Sequence, residues 1–189
     1  TEDFFVVQGL GGKRALAGEL PVRGSKNAAL PALAATLLFD GPVALARVPL
    51  IEDTQAMQSI LEELGASVKR AACGETVVDA RAARASILPR ELAKRLRASV
   101  IFAGPLLARF GSAEFPHPGG CVIGARPIDL FLEGFAKMGA VYEEGDFGYR
   151  LRAPKTGPAR TGTGGLRGAD IFFRQVTVTG TETLMLAAV

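Results

Sequence analysis

The chain has 189 residues, of which 48% are hydrophobic and 22% charged, and its net charge at pH 7 is +3. This length suits one large domain or two small ones, and the composition is that of a globular protein with a core. The basic residues are scattered along the chain, which argues against a nucleic-acid partner. No apolar run reaches the roughly 18–20 residues of a membrane span, and nothing resembles a signal peptide, so we expect a cytoplasmic protein without a membrane partner.

Two cysteines, Cys73 and Cys121, occur together with a single histidine, His117. Their number and spacing are unlike those of metal ligands, which argues against a zinc site of the usual kind. The count allows one disulfide, but without secretory signals we expect reduced thiols.

Hydrophobic periodicity and turn residues predict alternating strands and helices. Ser25 is the candidate N-cap of the first helix, and Pro31 fits that helix only near its first turn. We expect Gly104-Pro105 to interrupt or redirect the third helix. The predicted strands are 4–8, 20–22, 43–47, 66–70, 76–79, 140–143 and 148–153, with a further pair in 171–178. The predicted helices are 26–39, 53–64, 89–97, 127–138 and one from Thr181, and 154–165 is predicted to be loop.

Two internal echoes suggest repetition of strand–helix units. The segments leading to Gly24 and Gly180 resemble each other, and the helix ending at Leu64-Gly65-Ala66 resembles the one ending at Met138-Gly139-Ala140. Such units predict an α/β or α+β domain. The chain stops at Val189 within an apolar helical run, so we expect a fragment of a longer protein.

The segment 118–130 combines a thiol, an anion-binding side chain and a helix start. Three glycines surround Cys121, and glycine allows backbone amides to approach a ligand closely. Arg126 presents a planar charged fork for phosphate or carboxylate, and Pro127 suits the first position of a helix, whose free amides favour anions. This combination predicts thiol chemistry beside an anion site.

The whole chain resembles the UDP-N-acetylglucosamine enolpyruvyl transferase family, specifically its first domain. The matching stretches occur in family order and cover nearly all residues; they are 24–31, 96–99, 104–111, 118–130 and 176–185. The Gly-Gly-Cys segment is the most specific of them.

The resemblance implies a fold of two similar domains, each built from three βαβαββ units around buried helices as an inside-out α/β barrel, with the active site between the domains. Residues 1–20 would then be an N-terminal strand segment that packs on an absent second domain. Residues 21–189 would be the first domain, truncated at its C-terminal end. The implied reaction transfers the enolpyruvyl group of phosphoenolpyruvate to a hydroxyl of UDP-N-acetylglucosamine and releases phosphate, without metal or organic cofactor.

The resemblance also assigns site residues. Cys121 is the implied proton donor to the enolpyruvate methylene and can form a covalent adduct, while Lys26 is implied in both catalysis and substrate binding. Asp129 is a candidate acceptor for uracil or a hydroxyl; stabilisation of the first helical turn is the other explanation, and both can hold. Gln175 stands where some relatives carry a basic residue. The other implied substrate-binding residues are Asn27, Arg97, Arg126, Pro127, Ile128, Leu130, Val176, Thr177 and Val178.

Some residues receive no role from the resemblance. Cys73 is expected to be incidental, and nothing is assigned to His117, which precedes the loop. The base that deprotonates the sugar hydroxyl is an aspartate of the second domain, so we expect these 189 residues alone to be inactive. The alternatives are an enolpyruvyl-shikimate-phosphate synthase relative, a noncatalytic sugar-nucleotide-binding domain and a thiol redox sensor that uses Cys121.

Overall fold

The computed structural model describes residues 4–12, 15, 17–71, 75–117, 128–155 and 165–189. In these ranges the helices are α1 (Lys26–Ala35), α2 (Glu52–Glu63), α3 (Arg90–Arg95), α4 (Ala103–Phe110), α5 (Asp129–Lys137) and α6 (Val178–Ala187). The strands are β1 (Val43–Leu45), β2 (Ser67–Arg70), β3 (Thr76–Asp79), β4 (Ser112–Pro116), β5 (Val141–Glu144) and β6 (Gly148–Arg152). Two 3-10 helices, Thr36–Leu38 and Arg97–Phe102, follow α1 and α3. None of the helices in the described ranges has the length and apolarity needed to cross a membrane.

The strands form two antiparallel three-stranded sheets with the same order. The first sheet has the order β1-β3-β2 and the second β4-β6-β5, so in each sheet the strand that comes last in the sequence is central. Val43 faces Val78 in the first sheet, and Ala113 faces Leu151 in the second. Ile87 adds an isolated parallel bridge to Glu114 of β4.

The second echo in the sequence corresponds to a structural repeat. Both α2 and α5 end in a glycine with positive φ, 97° at Gly65 and 90° at Gly139. The next amide then reaches back into the helix, from Ala66 to the Leu61 carbonyl and from Ala140 to the Phe135 carbonyl, at 2.9 Å in both cases. A side chain disfavours such a left-handed backbone, which explains the glycine at both helix ends.

The similar segments that lead to Gly24 and Gly180 do not occupy equivalent positions in the structure. Gly24 precedes α1, where a Cβ would overlap the Arg47 carbonyl oxygen, whereas Gly180 lies inside α6. The two glycines therefore serve different contacts, and only the α2 and α5 echo marks a repeat.

The core lies between the helices and the inner faces of the two sheets. Helix α2 buries Met57, Ile60 and Leu61 completely, at the spacing of one helical face. Helix α6 packs against α4 and α5 at glycines: a Cβ at Gly104 would overlap the Thr183 carbonyl, and one at Gly134 would overlap the Leu184 side chain. These close approaches fix α6 against α4 and against α5, which begins with the candidate residue Asp129.

Several predicted elements are corrected by the structure. Residues 4–8 and 20–22 are not strands, because a strand needs a partner and none pairs with them in the described part of the chain; Phe5 is fully exposed. Residues 171–178 also form no strand pair: Ile171 and Phe173 pack on the core, and α6 starts at Val178 instead of Thr181.

The remaining corrections concern helices. Ser25 precedes α1 in extended conformation, but its side chain makes no capping hydrogen bond. The third helix ends at Arg95, and the chain is redirected through the 3-10 helix before α4 begins at Ala103. Pro105 lies in the first turn of α4, where its missing N–H needs no partner. Helix α4 and strand β4 were not predicted.

Candidate functional site

The N-terminus of α1 presents Lys26 next to a carboxylate of α2. The Lys26 Nζ lies 2.6 Å from Oδ2 of Asp53, and the two side chains are 50% and 32% exposed. An ion pair with this much solvent contact contributes about 0–1 kcal/mol to stability. The pair therefore orients the ammonium group more than it stabilises the fold.

Asp53 is held by the way α2 begins. The buried Thr54 hydroxyl donates to the Pro49 carbonyl at 2.6 Å, and its oxygen lies 3.4 Å from the Ile51 amide. These contacts tie the first turn of α2 to the preceding loop. The carboxylate of Asp53 lies in that turn, where the helix dipole favours negative charge.

The loop before α2 also fixes the chain before Lys26. Arg47 has a positive φ of 55°, which is unusual for a residue with a side chain. Its carbonyl approaches Gly24 so closely that only glycine fits there. The Gly24–Arg47 contact thus sets the path by which the chain enters α1.

Arg97 and Asn27 lie on elements that contact each other. Arg97 begins the 3-10 helix Arg97–Phe102, which packs against α1 and α6, and its side chain is half-buried. Ser99 on the same helix donates to the Ala93 carbonyl at 3.0 Å and fixes the turn. Asn27 is exposed in the first turn of α1.

The N-terminus of α5 separates its three described candidates into buried and accessible side chains. Ile128 and Leu130 are only 7% and 4% exposed and belong to the interior, so only their backbone atoms are available to a ligand. Asp129 is the first residue of α5, and its side chain is 39% exposed. Of the three, Asp129 is therefore the side chain that can contact a substrate.

Arg174 pairs with two carboxylates of α5. Its Nη2 contacts Oδ2 of Asp129, and its Nη1 donates to Oε1 of Glu133 at 2.7 Å. The other carboxylate oxygen of Asp129, Oδ1, is buried and has no hydrogen-bond partner among the described residues. This cluster joins the 165–177 segment to the start of α5.

The segment 175–178 leads into α6. The Thr177 hydroxyl accepts the Gly180 amide at 3.1 Å and caps α6, which gives this predicted binding residue a structural task. Val176 and Val178 are 100% and 68% exposed, and Gln175 is exposed as well. Their surfaces are open to a ligand.

The most specific motif lies outside the described residues: Cys121, Arg126 and Pro127 are not among them, and neither is Cys73. His117, at the edge of that segment, contacts the turn between β5 and β6. Its Nε2 lies 3.2 Å from the Gly145 carbonyl oxygen and its Nδ1 3.7 Å from Glu144. Burial raises the pKa of the neighbouring Tyr149, whose hydroxyl donates to Glu144 at 3.1 Å.

Sequence reasoning missed the charged partners Asp53, Glu133 and Arg174. Their ion pairs join residues distant in sequence, and no local spacing marks them. The one available signal was the position of Asp53 in the first turn of a predicted helix. The described candidate residues therefore lie in two ion-pair clusters, Lys26–Asp53 at the starts of α1 and α2 and Asp129–Arg174–Glu133 at the start of α5.

Comparison with known proteins identifies the family. The sequence pattern of the family described as EPSP synthase (3-phosphoshikimate 1-carboxyvinyltransferase) matches residues 10–189. The enolpyruvyl transferase NikO from Streptomyces tendae has a similar structure, with a TM-score of 0.70 at 21% identity over 93% of this chain and 39% of that one. Two structures of EPSP synthase from Acinetobacter baumannii give TM-scores of 0.67 and 0.66, at 17% and 18% identity over 90% of this chain and 37% and 38% of theirs.

The similarity of these structures shows the fold alone, and the chain spans well under half the length of each of them. They confirm the enolpyruvyl transferase fold predicted from the sequence. Because the match covers nearly all residues, the chain belongs to the EPSP synthase family.

Proposed function

We propose that the protein transfers the enolpyruvyl group of phosphoenolpyruvate to a hydroxyl of UDP-N-acetylglucosamine in the cytoplasm, as the first committed step of peptidoglycan synthesis. The observation that carries the choice of acceptor is the segment 118–130 with Cys121 between its glycines. The family match supports enolpyruvyl transfer in general, and this segment supports the nucleotide sugar as acceptor.

The reaction proceeds by addition and elimination. The acceptor hydroxyl oxygen forms a bond to C2 of phosphoenolpyruvate and loses its proton to a base, while the Cys121 thiol gives a proton to C3. In the second step C3 gives a proton to a base and the C2–O bond to phosphate breaks, which restores the double bond and releases phosphate. A thiol has a proton available near neutral pH, as this role requires.

The described residues bind and orient the two substrates. Lys26 brings an ammonium charge to the start of α1, where the helix amides also favour the anionic phosphoenolpyruvate. Asp53 holds this ammonium group in place. Asn27 and Arg97 supply further donors, and Asp129 accepts a hydrogen bond from the acceptor.

A second domain completes the site in this proposal. The base that removes the acceptor proton is an aspartate of that domain, so the 189 residues alone bind substrates without turning them over. Phosphate release by the purified 189-residue chain would contradict this part of the proposal.

The name of the matching family favours a second acceptor, shikimate 3-phosphate. The two reactions share phosphoenolpyruvate and phosphate release and differ only in the hydroxyl that is modified. The Cys121 segment makes this the weaker candidate. A noncatalytic sugar-nucleotide-binding domain is weaker still, since Lys26, Cys121 and Arg126 are all present.

The test is phosphate release from phosphoenolpyruvate by the product of the complete reading frame, with each acceptor offered separately. We expect release with UDP-N-acetylglucosamine, its loss in Cys121→Ala, and no change in the control Cys73→Ala. Release with shikimate 3-phosphate alone would assign the sister reaction. Nucleotide-sugar binding without release from either acceptor would identify a binding domain.

A further inference from the structure

A groove beside the loop that precedes α2 is lined by three arginines and by no acidic residue. Its volume is about 990 Å³, and it is formed by the chain before α1, the loop 47–51 and the end of β2. Lys26 does not line it, and the mechanism above does not use it. The residues that line the groove are Val22, Arg23, Gly24, Arg47, Val48, Pro49, Leu50, Ile51, Arg70 and Ala71.

The three arginines of this groove have no carboxylate partner in the described part of the chain. Elsewhere Arg81 and Arg150 each form an ion pair at 2.6 Å. In the groove, Arg70 donates to the backbone carbonyl of Val48 at 3.0 Å, and the other two arginines form no ion pair with a described residue. Three positive charges around one groove repel each other, so an anion bound between them is favoured.

The backbone at Arg47 is a second, independent observation. Its φ of 55° lies in the left-handed region, which asparagine or glycine adopts more readily than arginine does. The contact of its carbonyl with Gly24 and the burial of Val48, which is 5% exposed, hold this conformation. Backbone positions of this kind cluster at ligand sites in proteins. The fold therefore holds an arginine at the groove where local backbone preference favours another residue.

Arg70 is held at the groove by the sheet. Its ladder partner Thr76 is completely buried, so Arg70 lies on the face of the sheet that is turned to the core. The guanidinium then contacts the Val48 carbonyl and ties β2 to the loop. This contact uses one of its five N–H donors and leaves others for a ligand. Lys69, the preceding residue of β2, lies on the opposite face.

We propose that this groove binds an organic phosphate, a molecule that joins a phosphate group to an apolar portion. The planar guanidinium groups match the geometry of phosphate oxygens. The apolar portion packs on the exposed side chains of the groove, since Val22 and Leu50 are 88% and 65% exposed. This inference goes beyond the proposed function and does not depend on it.

The experiment measures the binding of phenyl phosphate and of inorganic phosphate to the complete reading-frame product, by titration calorimetry at constant ionic strength. We expect phenyl phosphate to bind about tenfold more tightly, because its ring is removed from water. Arg47→Asn and Arg70→Gln should each weaken its binding about 10- to 100-fold, the effect of losing a charge-assisted hydrogen bond. Asparagine tolerates the left-handed backbone, so Arg47→Asn removes the guanidinium and keeps the fold.

Two further variants separate this site from the alternatives. Lys69→Gln removes the same charge one residue away on the opposite face, and Lys26→Gln changes the proposed phosphoenolpyruvate contact; both should leave phenyl phosphate binding within about twofold. An equal loss in Lys69→Gln and Arg70→Gln would show attraction by net charge alone and overturn the inference. A loss in Lys26→Gln without one in Arg47→Asn would place the probe at the substrate contact, so the inference fails while the proposed function stands. Equal affinity for the two probes, or binding of neither, would also overturn it.

Discussion

Replacing Gly24 by alanine should disturb the fold and the Lys26 end of α1 together. A Cβ at Gly24 would overlap the Arg47 carbonyl oxygen and lie 3.0 Å from the carbonyl carbon and 3.4 Å from Cδ of Pro49. The obstacle is backbone, and Arg47 already has a left-handed conformation with φ of 55°. A rotamer change cannot relieve the overlap, so one of the two chain segments must move.

The size of the effect follows from this geometry. Ordinary contact begins near 3.4 Å, so the Arg47 carbonyl and Gly24 must separate by about 1 Å or more. Overpacking of this kind costs about 1–3 kcal/mol, and we expect the upper part of that range because the clash is with backbone. A loss of about 2–3 kcal/mol corresponds to a decrease in Tm of about 4–12 °C for a chain of this length.

Urea unfolding followed by circular dichroism measures this loss directly. Gly41→Ala is the matched control, because a Cβ there meets nothing within 4 Å and its φ is not positive. In the complete reading-frame product, Gly24→Ala should also raise the KM for phosphoenolpyruvate, since Lys26 lies two residues further on. If Gly24→Ala unfolds within about 0.5 kcal/mol of wild type, the close contact with Arg47 is not a real constraint.

Two further predictions concern charge. Asp53→Asn should change the free energy of unfolding by less than about 1 kcal/mol, as expected for an exposed pair, yet lower kcat/KM for phosphoenolpyruvate about tenfold because the Lys26 ammonium loses its orienting partner. The control is Asp79→Asn, which breaks a similar surface pair with Arg81. Equal effects of the two substitutions on kcat/KM would contradict a functional role for the Lys26–Asp53 pair. Burial raises the pKa of Glu182 in α6. The ionised carboxylate is therefore disfavoured in the folded state, and stability is lost as pH rises through the folded pKa. Glu182→Gln should thus have a higher Tm than wild type at pH 7 and an equal Tm below about pH 4. A Tm difference that does not depend on pH, or the same gain in the exposed control Glu62→Gln, would contradict this.

Local sequence signals predicted the elements whose stability is local. Helix α2 was predicted within one residue at each end, since its apolar residues recur at helical spacing and Gly65 terminates it. Strand β3 was predicted at its observed bounds. The 4–8 segment has the same apolar appearance, but no strand in the described residues pairs with it. A strand is defined by its partner, which the strand sequence does not contain.

The site was less predictable because its contacts are long-range. The family resemblance proposed Lys26 and Asp129 as site residues, but their partners Asp53 and Arg174 are joined to them only by folding. Helix α4 was not predicted for a different reason: the pair Gly104-Pro105 is typical of a point where a helix is interrupted. In the structure the proline lies in the first helical turn, and the glycine lets α6 approach.

The two ion-pair clusters use the same part of the repeated unit. Helices α2 and α5 hold corresponding places in the two units, and each has an aspartate in its first turn, Asp53 and Asp129. When Gly65 is aligned with Gly139, these aspartates differ by two positions. In each case a cation from another element, Lys26 or Arg174, pairs with the aspartate at the helix end where negative charge is favoured. The aspartate therefore holds a half-exposed cation in position; in the proposed function, anionic phosphoenolpyruvate would bind the Lys26 ammonium without first drawing it out of the interior.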